Sequence, residues 1–410
     1  MAPRRCIGGL IGLAFALAAC ECETPVEPPV APTPDTTEDV ADAGPDAFDL
    51  VRIAFADLPD WGETELTPAV HAFSAQCERL EGREPDEPLS SRAEYGGVVS
   101  DWIPACEILP RYIEAGELRR FFEDYFFAFS IETEEETNRL TGYYEPEIEV
   151  SSVPTNELSQ PIPGRPSDLI EVSLGQFDPS LEGRRVWGRV NGQSLDLYYA
   201  REDIAAASEN ALAYAHPTDV FFLQIQGSGR LRFPDGTLKR AGFSAHNHRP
   251  FGSLANHLIR SGEITRGEAS MTGIRNWMER VGRTRAQAAM NVNPRYVWFG
   301  LSDISDPNEG PKGAASIPLT PMGSMAVDLN HHPMGIPFLV RAPIPDRPGN
   351  AGEDQSLVLI SQDTGGAIQG VRRGDIFFGS GDEAGALAGS MNQPGDFFVF
   401  LPQPVDGEAS

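Results

Sequence analysis

The chain is short of positive charge, of cysteine and of long apolar runs, and each shortage excludes something. Its 32 lysines and arginines face 60 aspartates and glutamates, for a formal net charge of −28. Such a chain repels phosphate backbones and anionic headgroups, which argues against nucleic acid as a partner. Only five cysteines are present, and no pair of them has zinc-ligand spacing, so no metal and no cofactor is expected. The apolar run Ile7 to Ala16 is too short to cross a bilayer as a mature helix. No internal repeat is visible.

What is present begins with a removable segment. Arg4 and Arg5 precede the apolar run, which closes on Leu17-Ala18-Ala19-Cys20. A small-residue site directly before a cysteine is the pattern of a bacterial lipoprotein signal over 1–20, with Cys20 as the lipidated N-terminus. Acyl chains, at about 0.8 kcal/mol per buried CH₂, would hold the protein at a membrane without a spanning helix. Glu21 after the cysteine favours the outer membrane, facing the periplasm. Residues 21–49 are mostly Pro, Thr, Ala, Asp and Glu without one Lys or Arg, and are expected to form an extended spacer. About 360 residues remain, enough for two domains with real cores. Residues 403–410 read as a tail.

An oxidising compartment suits the remaining cysteines. Thr67 as N-cap and Pro68 in the first turn open a helix whose apolar face is Val70, Phe73, Cys77 and Leu80. Cys106 follows Trp102-Ile103-Pro104, and a Cys77–Cys106 disulfide is expected. Cys22 stays unpaired in the spacer. Leu118, Phe121, Phe122, Tyr125 and Phe126 follow helical spacing. After Ile131 the pattern turns to short strands cut by Gly and Pro. Phe221 to Ile225 reads as a strand, and Arg232-Phe233-Pro234-Asp235-Gly236-Thr237 as a hairpin turn. Met271, Ile274, Trp277 and Met278 form a helical stripe between Leu254 and Glu279; Trp277 and Trp298 are assigned to the core. Strands resume beyond Asn293. Helices on both sides of a β-rich stretch suggest one domain inserted into another.

Near the C-terminus, Leu357 to Ile360 reads as a buried strand that delivers Asp363 onto the turn Thr364-Gly365-Gly366. Glycine there lets a ligand approach the backbone closely. Asp375 follows within an arginine-glycine turn, Arg372-Arg373-Gly374. An Asp that merely bonds its own backbone is the competing account of such a turn.

Six segments occur in order: Thr141-Gly142-Tyr143-Tyr144-Glu145-Pro146, Gln224-Ile225-Gln226-Gly227-Ser228-Gly229, Asn293-Pro294-Arg295-Tyr296-Val297-Trp298-Phe299, Pro318-Leu319-Thr320-Pro321, Ser324-Met325-Ala326-Val327-Asp328 and Gln362-Asp363-Thr364-Gly365-Gly366-Ala367-Ile368. Together they resemble the membrane-bound lytic transglycosylase A (MltA) family with its three-aspartate (3D) domain, over roughly residues 65 to 402. The resemblance implies a mainly β fold with flanking helices. One domain would be a double-psi β-barrel from 50–144 and 245–402, with the 3D part at about 315–402. A smaller β-barrel domain at 145–244 would be inserted into it, leaving a glycan groove between the two.

The resemblance also implies an activity: cleavage of the β-1,4 bond from N-acetylmuramic acid to N-acetylglucosamine in peptidoglycan, ending in a 1,6-anhydro sugar. The partners implied are glycan strands and, through the lipid, the outer membrane; any cell-wall enzymes that join it stay unnamed. One acid suffices, because the substrate's own C6 hydroxyl attacks in place of water. By the motif that acid is Asp363, with Asp375 as its catalytic companion and Asp328 as the third aspartate of the pattern. Thr141 would bond the carboxyl of Asp363. Tyr143 and Tyr144 would stack on sugars or pack in the core. Gln226, Gly227, Ser228, Gly229, Gly365 and Gly366 would line the groove. Ala245-His246-Asn247-His248-Arg249-Pro250-Phe251-Gly252-Ser253 departs from the family pattern, although Asn247 and Ser253 keep their places. His246 and His248, with His331 or His332, suggest metal ligands or a nuclease, but an acidic chain outside the cytoplasm speaks against both and for solvated loop histidines. The other class of function is a non-catalytic scaffold that only binds peptidoglycan.

Overall fold

A computed structural model describes residues 48–404 except 135–137, 182–183, 205–209 and 308. The signal, Cys20, Cys22, the spacer through residue 47 and the tail from 405 lie outside the described residues. The described chain falls within one compact unit, Gly44–Ser410.

From the N-terminus come β1 (Phe48–Ile53), α1 (Thr67–Leu80), α2 (Val99–Ala115), α3 (Leu118–Tyr125), β2 (Phe126–Thr133) and β3 (Asn138–Glu145). The middle holds β4 (Glu147–Glu149), β5 (Gln160–Pro163), β6 (Ile170–Ser173), β7 (Arg185–Asn191), β8 (Ser194–Leu197), β9 (Ala211–Ala215), α4 (Pro217–Gln226), β10 (Gly229–Arg232) and β11 (Leu238–His246). It continues through α5 (Leu254–Arg260), α6 (Met271–Val281), α7 (Arg283–Met290) and β12 (Val297–Asp303). The last part is β13 (Ser324–Val327), β14 (Pro337–Ile344), β15 (Glu353–Asp363), β16 (Arg372–Ser380), α8 (Gly381–Ala388), β17 (Asn392–Gln393) and β18 (Asp396–Pro402).

The fold is mainly β with helices against it. Nine strands form one sheet in the order β1-β2-β18-β14-β15-β13-β16-β3-β17. Its parallel pairs are β13 with β15 and β16 with β3. Helices α1 to α3 pack on it through a core that includes Phe73, Trp102, Phe121, Phe122, Phe338 and Phe400. Burial of each such aromatic contributes on the order of 2–3 kcal/mol. The spacer ends earlier than expected, because Phe48 and Asp49 already pair with Thr133 and Glu132. Helix α1 also starts one residue away from its expected cap: Leu66 is the N-cap, and Glu65 Oε1 accepts the Thr67 amide at 2.8 Å. A nearby carboxylate has taken the capping role from the threonine hydroxyl. Cys77 on α1 and Cys106 on α2 are joined as a disulfide closing a separation of 29 residues, worth about 3 kcal/mol in chain entropy.

A second sheet runs β12-β11-β10-β4, flanked by the β5-β9 pair and the β6-β7-β8 ribbon. Three separate small cores belong to it, one of sheet residues around Leu231 and Phe299, one of helix residues around Trp277 and one around Tyr198 and Trp298. Two expectations are corrected here. The chain does not return to the large sheet at residue 245: β12 pairs with β11 as far as Asp303 opposite Lys239, so the second sheet keeps the chain to Asp303. Phe221 to Ile225 is not a strand but part of α4, whose N-cap is His216, with Pro217 at its first turn and Gly227 at φ 83 closing it. Apolar on all sides and short, this segment carries no periodicity to separate helix from strand; the punctuation at its two ends decides.

Candidate active site

The site forms where four strands, β15, β13, β16 and β3, run side by side. In β15, Val358, Leu359 and Ile360 are buried, and their ladder with β14 and β13 fixes the strand that ends at Asp363. A register shift between Met325 and Ala326 brings Ala326 opposite Asp363. On its other side Ala326 faces Asp375 in β16, and Asp375 faces Thr141 in β3. Asp363, Ala326, Asp375 and Thr141 therefore form one row across the sheet, and residues paired in register share a face. Tyr143 lies two residues beyond Thr141 and joins that face. Gly374 makes the row possible, since a Cβ there would meet Met325 Sδ at 2.5 Å and a Leu140 methyl at 2.9 Å. Asp375 thus sits inside a strand; its arginine-glycine neighbours form no turn.

Asp363 is partly exposed, but both carboxyl oxygens face protein donors. Oδ1 accepts the amides of Ala314 and Thr364, each at 2.9 Å. Oδ2 accepts the Tyr143 hydroxyl at 2.9 Å. Desolvation nevertheless dominates and raises its pKa above the ordinary 3.8; the three hydrogen bonds pull the other way without cancelling it. No arginine or lysine pairs with it among the described residues.

Ala314 was not legible beforehand. It belongs to a tight loop in which Lys312 bridges Pro318 and the Gly313 amide donates to Ile317 O at 3.0 Å. A Cβ on Gly313 would lie 2.5 Å from Gln362 O and 3.3 Å from Asp363 Cβ. The signal was the spacing Gly310-Pro311-Lys312-Gly313 just ahead of Pro318-Leu319-Thr320-Pro321: glycines where another chain passes closely.

Asp375 has different company. Its Oδ1 accepts the Thr141 hydroxyl at 2.5 Å, and Thr141 Oγ1 accepts from Arg373 Nη2 at 2.8 Å. Thr141 therefore serves Asp375, not Asp363 as expected. Burial raises the Asp375 pKa to about 6, against the pull of Arg373 and Thr141 and with a push from Asp363. The Tyr143 phenol is driven well above 10.0, first by burial and then by Asp363, so at neutral pH it remains a donor.

The other expected positions divide between packed and accessible ones. Asp328 bonds turn amides, Oδ1 accepting Asn330 N at 3.0 Å and Oδ2 accepting Gly370 N at 2.9 Å. Tyr144 packs against the main core beside Gly385. Gln226 ends α4, where its Nε2 reaches Met271 Sδ at 3.5 Å. A side chain on Gly229 would collide with Leu223, so that glycine serves packing. Ser228 is partly buried, while Gly365 and Gly366 are exposed just past Asp363.

The histidines are not free in solvent. His246 accepts His248 N on Nδ1 at 2.9 Å and packs on Trp187 at 4.4 Å between ring centres. Burial lowers its pKa to about 3, Arg295 next. His332 is enclosed by Tyr95, which bonds Nδ1 at 2.7 Å, and by Val371 O, 2.6 Å from Nε2. A carbonyl only accepts, so Nε2 carries the proton and Tyr95 donates.

Two carboxyls on the large sheet, with the turn after Asp363 close to Phe251 and Arg295 of the segment that carries the second sheet, belong to a protein built from two interleaved modules. Residues 139–300 match the MltA specific insert domain and 323–401 match the 3D domain. The chain belongs to the MltA family with a 3D domain. A membrane-bound lytic murein transglycosylase A of Vibrio cholerae is 31% identical over 252 residues, 61% of this chain and 61% of that protein. The alignment thus spans about three fifths of that curated relative. Among solved structures, a membrane-bound lytic murein transglycosylase from Agrobacterium tumefaciens is 28% identical with a TM-score of 0.73, covering 86% of this chain and 98% of that one. The lytic transglycosylase LtgG of Burkholderia pseudomallei is 31% identical with a TM-score of 0.55, covering 88% and 98%. Among the described residues no helix is long and apolar enough to cross a membrane.

Proposed function

We propose that this chain is a peptidoglycan lytic transglycosylase in which Asp363 transfers both protons. The observation that carries the reading is a part-buried carboxyl that meets only neutral donors, has a raised pKa and finds no cation among the described residues to hold it ionised. Both oxygens accept hydrogen bonds, but Oδ1 accepts two fixed amides, which leaves Oδ2 to bear the proton. Protonated Oδ2 donates to the glycosidic oxygen as the bond to the muramyl C1 breaks. The carboxylate left behind, stabilised by Ala314 N, Thr364 N and the Tyr143 hydroxyl, then takes the proton of the C6 hydroxyl as that oxygen closes on C1. The acid is regenerated and no water is consumed. The double-psi barrel, a glycan groove also lined by Gln226, Gly227, Ser228 and Tyr144, and a lipid anchor on Cys20 at the outer membrane complete the proposal; relatives named membrane-bound support the last of these.

A second reading rests on Asp375. It stands two strands from Asp363 on the same face, so their Cα atoms are about 10 Å apart, and a second carboxyl near the acid is what a hydrolase would use as base for water. Digestion of purified sacculi by the full chain, with mass analysis of the products, separates the readings. Anhydro ends are expected. Reducing ends would make the protein a hydrolase that uses Asp375 as base, and binding without release would make it a scaffold.

A further inference from the structure

We infer that Arg295 is the docking point for a carboxylate carried on the O3 arm of a muramyl residue, received across the Gly365-Gly366 turn. The inference rests on the transglycosylase reading and adds a substrate feature to it. A Cβ on Gly366 would lie 3.4 Å from Arg295 Nη1 and 3.6 Å from Phe251 Cβ. The guanidinium therefore hangs over the turn three residues beyond the proposed acid. Its backbone is fixed: Arg295 N donates to Asn293 Oδ1 at 3.2 Å, and its carbonyl accepts from Arg201 Nη2 at 2.6 Å. Its side chain makes no hydrogen bond or ion pair with any described residue, and burial alone acts on its charge. A part-buried arginine with no carboxylate partner among the described residues, in a chain this acidic, is a vacant cation.

Its neighbours suit the same ligand. Arg295 depresses the basicity of both His246 and His248, behind burial in each case, so the three groups adjoin and both rings stay neutral. The two rings lie parallel, 5.6 Å apart, with Trp187 beside the first. His248 holds φ 57, a left-handed conformation costing about 1 kcal/mol outside glycine, and its Nδ1 is buried without a partner among the described residues. A planar cation beside neutral rings with a spare ring nitrogen fits a carboxylate better than a hydroxyl or an acetamido group. In a peptidoglycan strand the acids are carried by the lactyl group on the muramyl O3 and by the peptide it bears; the glucosaminyl residues are neutral. This wall is also where the sequence leaves the family pattern, at Ala245 to Ser253.

The test uses the full chain carrying Asp363→Asn, so that strands bind uncut, and three glycan hexamers: peptide-bearing, peptide-free with the lactyl carboxylate exposed, and peptide-free with that carboxyl amidated. Adding Arg295→Gln should weaken a carboxylate-bearing strand about tenfold relative to the amidated one. Loss confined to the exposed lactyl strand assigns the lactyl carboxylate; loss confined to the peptide-bearing strand assigns the peptide. Arg295→Lys should keep part of the preference. Should the variants fail to fold, the preference in the Asp363→Asn protein must still shrink as salt rises. Equal loss on all three strands, no loss, or a salt-independent preference overturns the inference. If all three bind alike before Arg295 is changed, this inference alone falls; if none binds, the transglycosylase reading falls with it.

Discussion

Two carboxylate sites border strand β3, one fully buried and one part-buried, and they treat charge in opposite ways. Glu145, at the end of β3, is fully buried. Its Oε1 accepts from Arg240 at 2.7 Å, and its Oε2 accepts from Arg230 and from Ser380, each at 2.8 Å. Both arginines also donate to Glu309 O. That cluster joins the end of β3, where the chain leaves the large sheet, to Glu309, in the segment between β12 and β13, so its charges tie the outgoing and returning chain together. Asp363, in the row that reaches Thr141 on the same strand, has only neutral donors. Burial with cations makes a structural ion cluster; burial without them makes an acid reluctant to ionise.

The largest effect should come from Asp363→Asn, which keeps the shape and removes the exchangeable proton. Turnover on sacculi should fall about 10³–10⁴-fold with binding retained; binding and turnover lost together would mean that the residue holds the fold. Glu145→Gln should cost roughly 3–5 kcal/mol in denaturant unfolding, because two buried guanidinium groups lose their counter-charge. A cost under about 1 kcal/mol would erase the contrast between the sites. Tyr143→Phe removes a bond that lowers the Asp363 pKa, so the alkaline limb of the rate profile should move to higher pH, with turnover down about tenfold. An unmoved limb would separate Tyr143 from the acid.

The smallest effect concerns Asp375, whose pKa rises from 3.8 unfolded to about 6 folded. The folded state then binds the proton more tightly, so this residue supports stability below pH 3.8 and loses that support as pH climbs through about 6. Asp375→Asn should therefore stabilise the protein at pH 8 by on the order of 1–3 kcal/mol, with the gain gone near pH 4. Melting curves at both pH values read this directly, and a gain that persists at pH 4 would contradict the sign.

Much of this was legible in the sequence, and the rest failed for local reasons. The aliphatic run before Asp363 and the helix face bearing Cys77 are local patterns, and both hold in the structure. The reach of the second sheet to Asp303 depends on β11 pairing with β12 across three helices, which no local window contains. Asp375 looked like a turn residue because glycine beside arginine suits turns; here Gly374 is demanded by Met325 on the next strand. Thr141 meets Asp375 and not Asp363 because strand register, not motif order, decides which carboxyl it reaches. The Ala314 amide is marked only by the close-packed glycines ahead of it, Gly310 and Gly313, and not by any side chain of its own.

The most direct test of the contrast is the ionisation of Asp363 itself. Infrared difference spectra between the Asp375→Asn protein and the same protein with Asp363→Asn added isolate one carboxyl, which can be followed as pH is raised. The account predicts a protonated C=O band that outlasts the ordinary aspartate value of about 3.9 before giving way to carboxylate. A carboxylate band already complete at that pH would contradict it.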